Sequence, residues 1–342
     1  MFKPCFHKQG FSVIVVFMIK AQIQDKELFE YLQVLQNDEM IHFTMADGRI
    51  RGALFHGTHF VNQMRAQHNT GILETYILGQ ACLCGALLIP ALMKGREHVS
   101  WRYDVETSLA KGFSVEADST GWVRGYLLTD HIPVDKPLEN WDMTPFLAGE
   151  GFMTIQTAHP GDKYPQTSSV NTTGNIADDL VFFFDRSEQL KTALTTSIQM
   201  DKKGRVVGAG GIFIQVMPET GGHYNGKEKL GAQINTASNQ EQNEILIEEI
   251  ENVYRAAPSL GTWFSQGHSH EEFLQKNFGA FNPIVAVHRD IIYDCPCSKD
   301  FFVRFLKGLS EKDRADLKNK NETLELRCQN CGSVYHVEPT EF

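Results

Sequence analysis

The sequence predicts an α+β protein in three parts: a core domain mixing strands and helices, a helical linker, and a small C-terminal module built around four cysteines. Three observations carry this. Strand-like alternation and helix-like runs fall in separate blocks over the first two thirds of the chain, without a strict strand–helix–strand rhythm. A polar, glycine-rich stretch then breaks the pattern. Near the end, two close cysteine pairs stand in a segment too poor in apolar residues to build its own core.

The bulk numbers bound the rest. The chain has 342 residues, enough for two domains and a small module, and is 42% hydrophobic and 22% charged, as ordinary globular proteins are. Its formal charge is −10, which argues against a sequence-independent grip on nucleic acid or on an anionic membrane. From Arg289 onward there are nine Lys/Arg against ten Asp/Glu, so no basic patch is hidden in the tail.

The first residues, "MFKPCFHKQGFSVIVVFMIKA", place two lysines before an apolar run at 11–19 that is too short to span a bilayer. A short export signal is one reading. Ile19 sits where a small residue is wanted before Ala21, and Met18 offers a second start, so residues 1–17 read instead as an upstream over-extension. With Met18 as the start, the protein is expected in the cytoplasm, where thiols begin reduced.

The core is expected over 18–218. Residues 71–95 form a largely apolar and therefore buried helix. "HVSWRYDVE" and "GFSVEADSTGWVRGYL" alternate like strands, the second with a hairpin turn at Ser119, Thr120 and Gly121. "GFMTIQTA" and "GGIFIQVMP" add strands, and "NIADDLVFFFDRSEQLKTAL" (175–194) reads as a helix. The linker is expected over 219–288. Its first part contains G-x-x-x-x-G-K at 221–227, but Glu228 follows where a P-loop needs Ser or Thr, so a P-loop is rejected. Its second part is a helix with Leu246, Ile250, Val253 and Tyr254 on one stripe, stopped by Pro258. Such a stripe covers an apolar partner, here expected on the core strands, either as a latch or as packing that never opens. The final module, 289–342, reads as a helix closed by Gly308 and a second helix begun by Ser310 and Asp313.

Cys295 and Cys297 lie two apart, Cys328 and Cys331 three apart, with about thirty residues between the pairs. Four thiolates at this spacing suit tetrahedral Zn²⁺, one per chain, in a closed shell with no open position for substrate. In "CQNCG" the gap and Gly332 make a tight knuckle, and in "CPC" Pro296 holds Cys295 extended. On spacing alone a permanently structural zinc ribbon fits equally well. Yet the metal would outweigh any apolar burial in so small a module, and zinc-held thiolates react with oxidants. Cys295–Cys297 and Cys328–Cys331 are each close enough to form a disulfide unaided, and such small loops are easily reduced again.

The other candidates weigh less. Cys82 and Cys84 read as buried thiols of the apolar helix, and Cys5 belongs to the doubtful start. His268, His270 and Glu271 in "GHSHEEF" read as a solvated polar loop rather than a metal site. No nucleophile elbow, HExxH or dinucleotide fingerprint appears, and an enzyme is not expected. A zinc-ribbon nucleic-acid module remains the alternative function, against which the balanced charge of the tail counts.

These residues resemble the heat shock protein 33 family, the redox-regulated chaperones, from about residue 19 to the end. The likeness rests on C-x-C with C-x₂-C about thirty residues later, "RSEQL" (186–190), "AGGIFIQVMP" (209–218), "NIADDL" (175–180) and "VEADSTGWVRGY" (115–126). It implies a mixed α/β core, a helical linker folded over it, and a zinc domain whose ligands and redox sensors are Cys295, Cys297, Cys328 and Cys331. It further implies that the reduced zinc form is a poor chaperone. Oxidants pair the cysteines and expel zinc, the linker unfolds, and the protein holds unfolding clients without ATP. The reduced form is expected as a monomer and the oxidised form as a homodimer. Where the family has a Tyr-x-Gly strand, this chain has Tyr164 followed by Pro165 and Gln166, so that edge is expected to differ. Residues 219–276 are also longer and more polar than the family pattern.

Overall fold

The computed structural model describes residues 19, 21–93, 97–134, 140–159, 161–217 and 236–342, which fall into two compact units, Ile23–Tyr293 and Asp294–Phe342, the second joined by Ile19, Ala21 and Gln22. The early apolar run with Cys5, the choice between Met1 and Met18, and the motif at 221–227 lie outside the described residues.

The larger unit begins with helix α1 (Lys26–Leu32), whose Asp25 cap accepts the Leu28 amide at 2.9 Å. Strands β1 (Glu39–Met45) and β2 (Ile50–His56) form a hairpin, and helices α2 (Thr58–His68) and α3 (Ile72–Leu92) follow. Strands β3 (His98–Asp104), β4 (Gly112–Asp118) and β5 (Trp122–Leu127) make a meander whose second turn needs Gly121 at φ 103°. After the short helix α4 (Thr144–Leu147) come β6 (Phe152–Ala158) and β7 (Gln166–Asn171). Helix α5 (Ile176–Phe183) leads to β8 (Thr192–Met200) and β9 (Val206–Val216). Helices α6 (Thr236–Ala256), α7 (Leu260–Ser265) and α8 (His270–Phe278) follow, and the unit closes with β10 (Ile284–Asp290) and β11 (Ile292–Tyr293).

These strands make two sheets, a five-stranded one in the order β10-β1-β2-β9-β8 and a six-stranded one in the order β11-β5-β4-β3-β6-β7. Helix α3 packs on both sheets, which is why it is apolar all round. A Cβ on its Gly79 would stand 2.7 Å from Ile198 of β8, and one on Gly85 2.6 Å from Val115 of β4. By length and composition α3 could cross a membrane, but 89% of its apolar window is buried inside this unit. Cys82 and Cys84 lie on it fully buried, as packing residues. Burial pushes the Cys84 thiol up to about 12 and Cys82 higher still.

Two elements depart from the sequence reading. The helix expected over 175–194 ends at Phe183. A π-turn at Phe184–Glu188 and a left-handed Gln189 at φ 55° reverse the chain, so Thr192 already belongs to β8. The "RSEQL" motif is this reversal, and helical periodicity cannot register it. The expected polar loop at His268, His270 and Glu271 is instead the start of α8. Ser269 and Glu272 form a full capping box there, and His270 is 7% exposed. Tyr164, at the edge where a departure was expected, is 76% exposed just before edge strand β7.

The smaller unit holds helices α9 (Lys299–Lys307) and α10 (Glu311–Asn319) and a hairpin of β12 (Leu324–Arg327) with β13 (Val334–Val337). As the sequence suggests, Gly308 caps α9, and Ser310 accepts the Asp313 amide at the start of α10. The observed architecture is α+β, with a small cysteine-bearing unit after the core.

Candidate metal centre

Each cysteine pair is placed by local backbone chemistry. Asp294 Oδ1 accepts the Cys295 amide at 2.8 Å and the Ile19 amide at 3.3 Å. Ser298, directly after Cys297, caps α9 by accepting the Phe301 amide at 3.2 Å, which fixes the exit of the first pair. The second pair sits in the β12–β13 turn. The Cys331 and Gly332 amides donate to Cys328 O at 3.4 and 2.8 Å, Cys328 N donates to Ser333 O at 2.9 Å, and Gly332 takes φ 70°. That is the knuckle the spacing predicts.

The fold brings the four sulfurs together. All lie within 4.8 Å of one another, and no cysteine of the four is more than 6% exposed. Contacts of 3.7 Å (Cys295–Cys328) and 3.5 Å (Cys297–Cys331) cross from one motif to the other. Sulfurs on a tetrahedral zinc at about 2.3 Å stand about 3.8 Å apart, so the donor set fits a metal ion. The electrostatics agree. Hydrogen bonds from Cys295 first, then Cys328 and Cys331, hold the Cys297 thiol far below its ordinary range. The contacts with Cys295 and Cys297 push Cys331 up, and those same sulfurs raise Cys328. One thiolate is tolerated here, whereas four need a cation among them.

Around the sulfurs the unit has little else. Tyr335, Ile19 and Phe302 pack on the cluster, and a second small core gathers Leu306, Val337 and Phe342. At about 1.5–3 kcal/mol per fully buried aliphatic or aromatic side chain, this is a thin foundation for some fifty residues.

In the larger unit, the predicted stripe of α6 lies on the five-stranded sheet. Leu246 and Ile250 are buried in one cluster with Ile41 of β1, Leu54 of β2 and Ile212 of β9, with Val253 and Tyr254 packed beside them. Burial raises the Tyr254 phenol. Glu248, Glu249 and Glu251 face outward. Helices α7 and α8 extend the same cover through Trp263, Phe264, Phe273 and Phe278.

What holds α7 down was not legible as a site. A Cβ on Gly208 of β9 would stand 2.0 Å from Gly261 O, so helix and strand backbones meet only because both residues are glycine. The Gly261 amide donates to Ser197 Oγ at 2.5 Å. His56 of β2 stacks on Phe264 with centroids 4.1 Å apart, and the His270 ring lies 5.8 Å from it. His270 Nε2 is 2.8 Å from Glu39 O. The glycine run in "GAGG" was the available signal, since glycines inside a strand mark a close backbone approach.

Comparison with known proteins places these features. The model of the family described as Hsp33 protein matches residues 38–338. The 33 kDa chaperonin of Desulfotalea psychrophila is 27% identical over 88% of this chain and 94% of its own length. That of Agathobacter rectalis is 28% identical over 90% of this chain and 98% of its own. The crystal structure of the 33 kDa chaperonin of Thermotoga maritima has the same fold, with a TM-score of 0.72 at 24% identity over 90% of this chain and 96% of that one. The family match spans helices α6 to α8 and all four clustered cysteines, and the chain belongs to the Hsp33 family of chaperones.

Proposed function

We propose that this chain is a redox-regulated, ATP-independent holdase, zinc-bound and inactive when reduced, and switched on by oxidation to hold unfolding client proteins. The observation that carries the reading is the gathering of four buried sulfurs within 4.8 Å in a unit with almost no other core. Zn²⁺ held by Cys295, Cys297, Cys328 and Cys331 would supply a closed four-sulfur shell worth about 10–16 kcal/mol of folding free energy in modules of this kind.

The chain's own residues do the rest. Oxidation joins Cys295 to Cys297 and Cys328 to Cys331, because once the knuckles loosen the nearest neighbours in sequence meet first. The sulfurs are then no longer ligands, and the redox-switch domain (289–342) unfolds. The linker (219–288) follows it by direct chain connection, and the stripe of Leu246, Ile250, Val253 and Tyr254 leaves the core (18–218). The apolar surface so exposed binds clients. The reduced protein is a monomer and the oxidised one a homodimer, acting in the cytoplasm, with no nucleic acid or membrane as partner and no catalytic turnover.

Light scattering of a thermally unfolding client tests this. Oxidised protein suppresses the scattering at near-stoichiometric amounts while reduced, zinc-loaded protein does not, and equal suppression by both would overturn the reading. Peptide mapping of the oxidised chain finds the two local disulfides, and bridges made mainly by Cys82 or Cys84 would contradict the assignment.

A further inference from the structure

Of the four clustered cysteines, Cys295 and Cys331 are fully buried, while Cys297 keeps 5% and Cys328 6% of its surface. Cys297 and Cys328 are thus the two residues of the cluster with any open surface, and they differ in what stands beside them. Tyr335 of β13 places its hydroxyl 3.2 Å from Cys297 Sγ and donates to Cys297 O at 3.0 Å. Its ring is 4% exposed and tilts against Phe302 at 5.3 Å, so the phenol is fixed in place. The hairpin register pairs Tyr335 with Leu326, two residues before Cys328, so one strand carries the phenol of the first pair while the turn carries the sulfurs of the second.

We infer that Tyr335 is a positioning residue that restrains Cys297 and slows its reaction with peroxide. A phenol has one proton, and Cys297 offers it two acceptors, the carbonyl oxygen and the thiolate sulfur. Shared between them, it ties the sulfur to its own backbone and draws electron density from the lone pair that an oxidant must reach. Groups that hydrogen-bond to metal-binding side chains commonly change affinity or reactivity by about 10–100-fold when removed.

The restrained step is a two-electron oxidation. A cysteine sulfur attacks one oxygen of a hydroperoxide, the O–O bond breaks, and hydroxide leaves. The neighbouring thiolate then displaces hydroxide from the sulfenic acid to form the disulfide, and two protons from solvent complete two waters when the oxidant is hydrogen peroxide. Two electrons pass from the thiol pair to the peroxide.

This inference rests on the redox reading proposed above, but its test is separate. Zinc-loaded reduced protein is treated with limiting iodoacetamide, and the four cysteines are quantified by peptide mass spectrometry. In the unaltered protein Cys328 is labelled faster than Cys297, and the opposite order would overturn the inference without any variant. Tyr335→Phe keeps the ring and removes the hydroxyl. It should speed labelling of Cys297 about tenfold and leave Cys328 unchanged, and peroxide-driven zinc release, followed with a chromogenic chelator, should quicken several-fold. Uniform acceleration at all four sites would mean only a looser fold, the pattern expected of Tyr335→Leu, and no acceleration would equally refute the assignment. If the labelling pattern holds but oxidised and reduced protein protect clients alike, the proposed function fails while the role of Tyr335 stands.

Discussion

The cysteine unit and helices α6 to α8 are held by opposite kinds of physics. Helices α6 to α8 rest on the five-stranded sheet through a cluster of fifteen buried residues, so many small contacts add up to their stability. The cysteine unit has two small clusters, one of them built on the four sulfurs themselves, which lie within 4.8 Å of one another and could share a metal ion. Many small contacts weaken by degrees. One metal centre is either present or gone. Under the proposed function, that difference lets a chemical signal be read in the small unit and expressed through the large one.

The largest effect that sharpens this contrast is metal removal. A strong chelator combined with a thiol reagent should abolish amide protection in α9, α10, β12 and β13 while β1 to β9 stay protected, as measured by hydrogen exchange. Simultaneous loss of protection in β1 to β9 would break the comparison. Replacing both Cys328 and Cys331 by Ser should likewise remove the bound zinc, and full occupancy in that variant would refute the metal assignment.

The next effect attacks the many small contacts. Ile250→Asp with Val253→Asp puts two charges into the apolar cluster, at a cost of about 3–5 kcal/mol, and should lift α6 with zinc still bound. Partial client protection without oxidant, together with protease cleavage within residues 236–283, is the expected outcome. A variant that stays inactive and resistant while reduced would show that this cover is not a latch.

A single methyl should do something similar in a different place. All three atoms nearest a Cβ on Gly208 belong to α7, the closest being Gly261 O at 2.0 Å, so Gly208→Ala must push that helix off β9. Overpacking of this kind costs about 1–3 kcal/mol, and binding of a hydrophobic dye by the reduced variant should rise accordingly. Unchanged dye binding and protease resistance would show that α7 tolerates the shift.

The smallest effect comes from pH. Burial first, and His270 second, lower His56 from its ordinary value to about 4, so the folded cover keeps this ring neutral. Thr58 Oγ1 lies 2.8 Å from its Nε2, and Glu39 is its cross-strand partner on β1. An open linker restores a value near 6.5, so the open state takes up the proton first as pH falls. Stability from this group is full above about pH 6.5 and is lost progressively toward pH 4. At pH 5.5 the loss is about 1.4 kcal/mol, a tenfold gain in opening. Hydrogen exchange of α7 in zinc-loaded protein at pH 7.5 and 5.5 should show it, and His56→Phe should flatten the dependence. An identical dependence in that variant would exclude His56 as its source.

The cysteine cluster was legible because metal ligation is encoded in spacing, and the α6 stripe because helical periodicity is local. Central helix α3 was legible for a third reason, since burial on every side leaves a continuous apolar run. What spacing and periodicity miss are properties of register and contact. Tyr335 meets Cys297 only because β13 pairs with β12 in one register, and Gly208 matters only because α7 crosses it. His270 looked solvated because its neighbours in sequence are polar, yet a capping box turns it inward to Glu39. The overrun helix at 184–194 has the same origin, since a π-turn and one left-handed residue leave no apolar period to count.

Helix α3 has a consequence for how the chain is made. It leaves the ribosome with a surface apolar enough for a membrane, yet the strands that cover it arrive at different times. β4 and β5 follow within a few dozen residues, whereas β8 and β9 are more than a hundred residues downstream. Until residue 216 has emerged, one flank of α3 must be shielded by something else, and the five-stranded sheet is not complete until β10 closes it at Asp290. Only four residues later does the cysteine unit begin, and it takes backbone hydrogen bonds from Ile19 and Ala21, made near the start of synthesis. A nascent chain is therefore itself a client-like species until β8 and β9 have emerged, and the four-cysteine unit takes shape only after them.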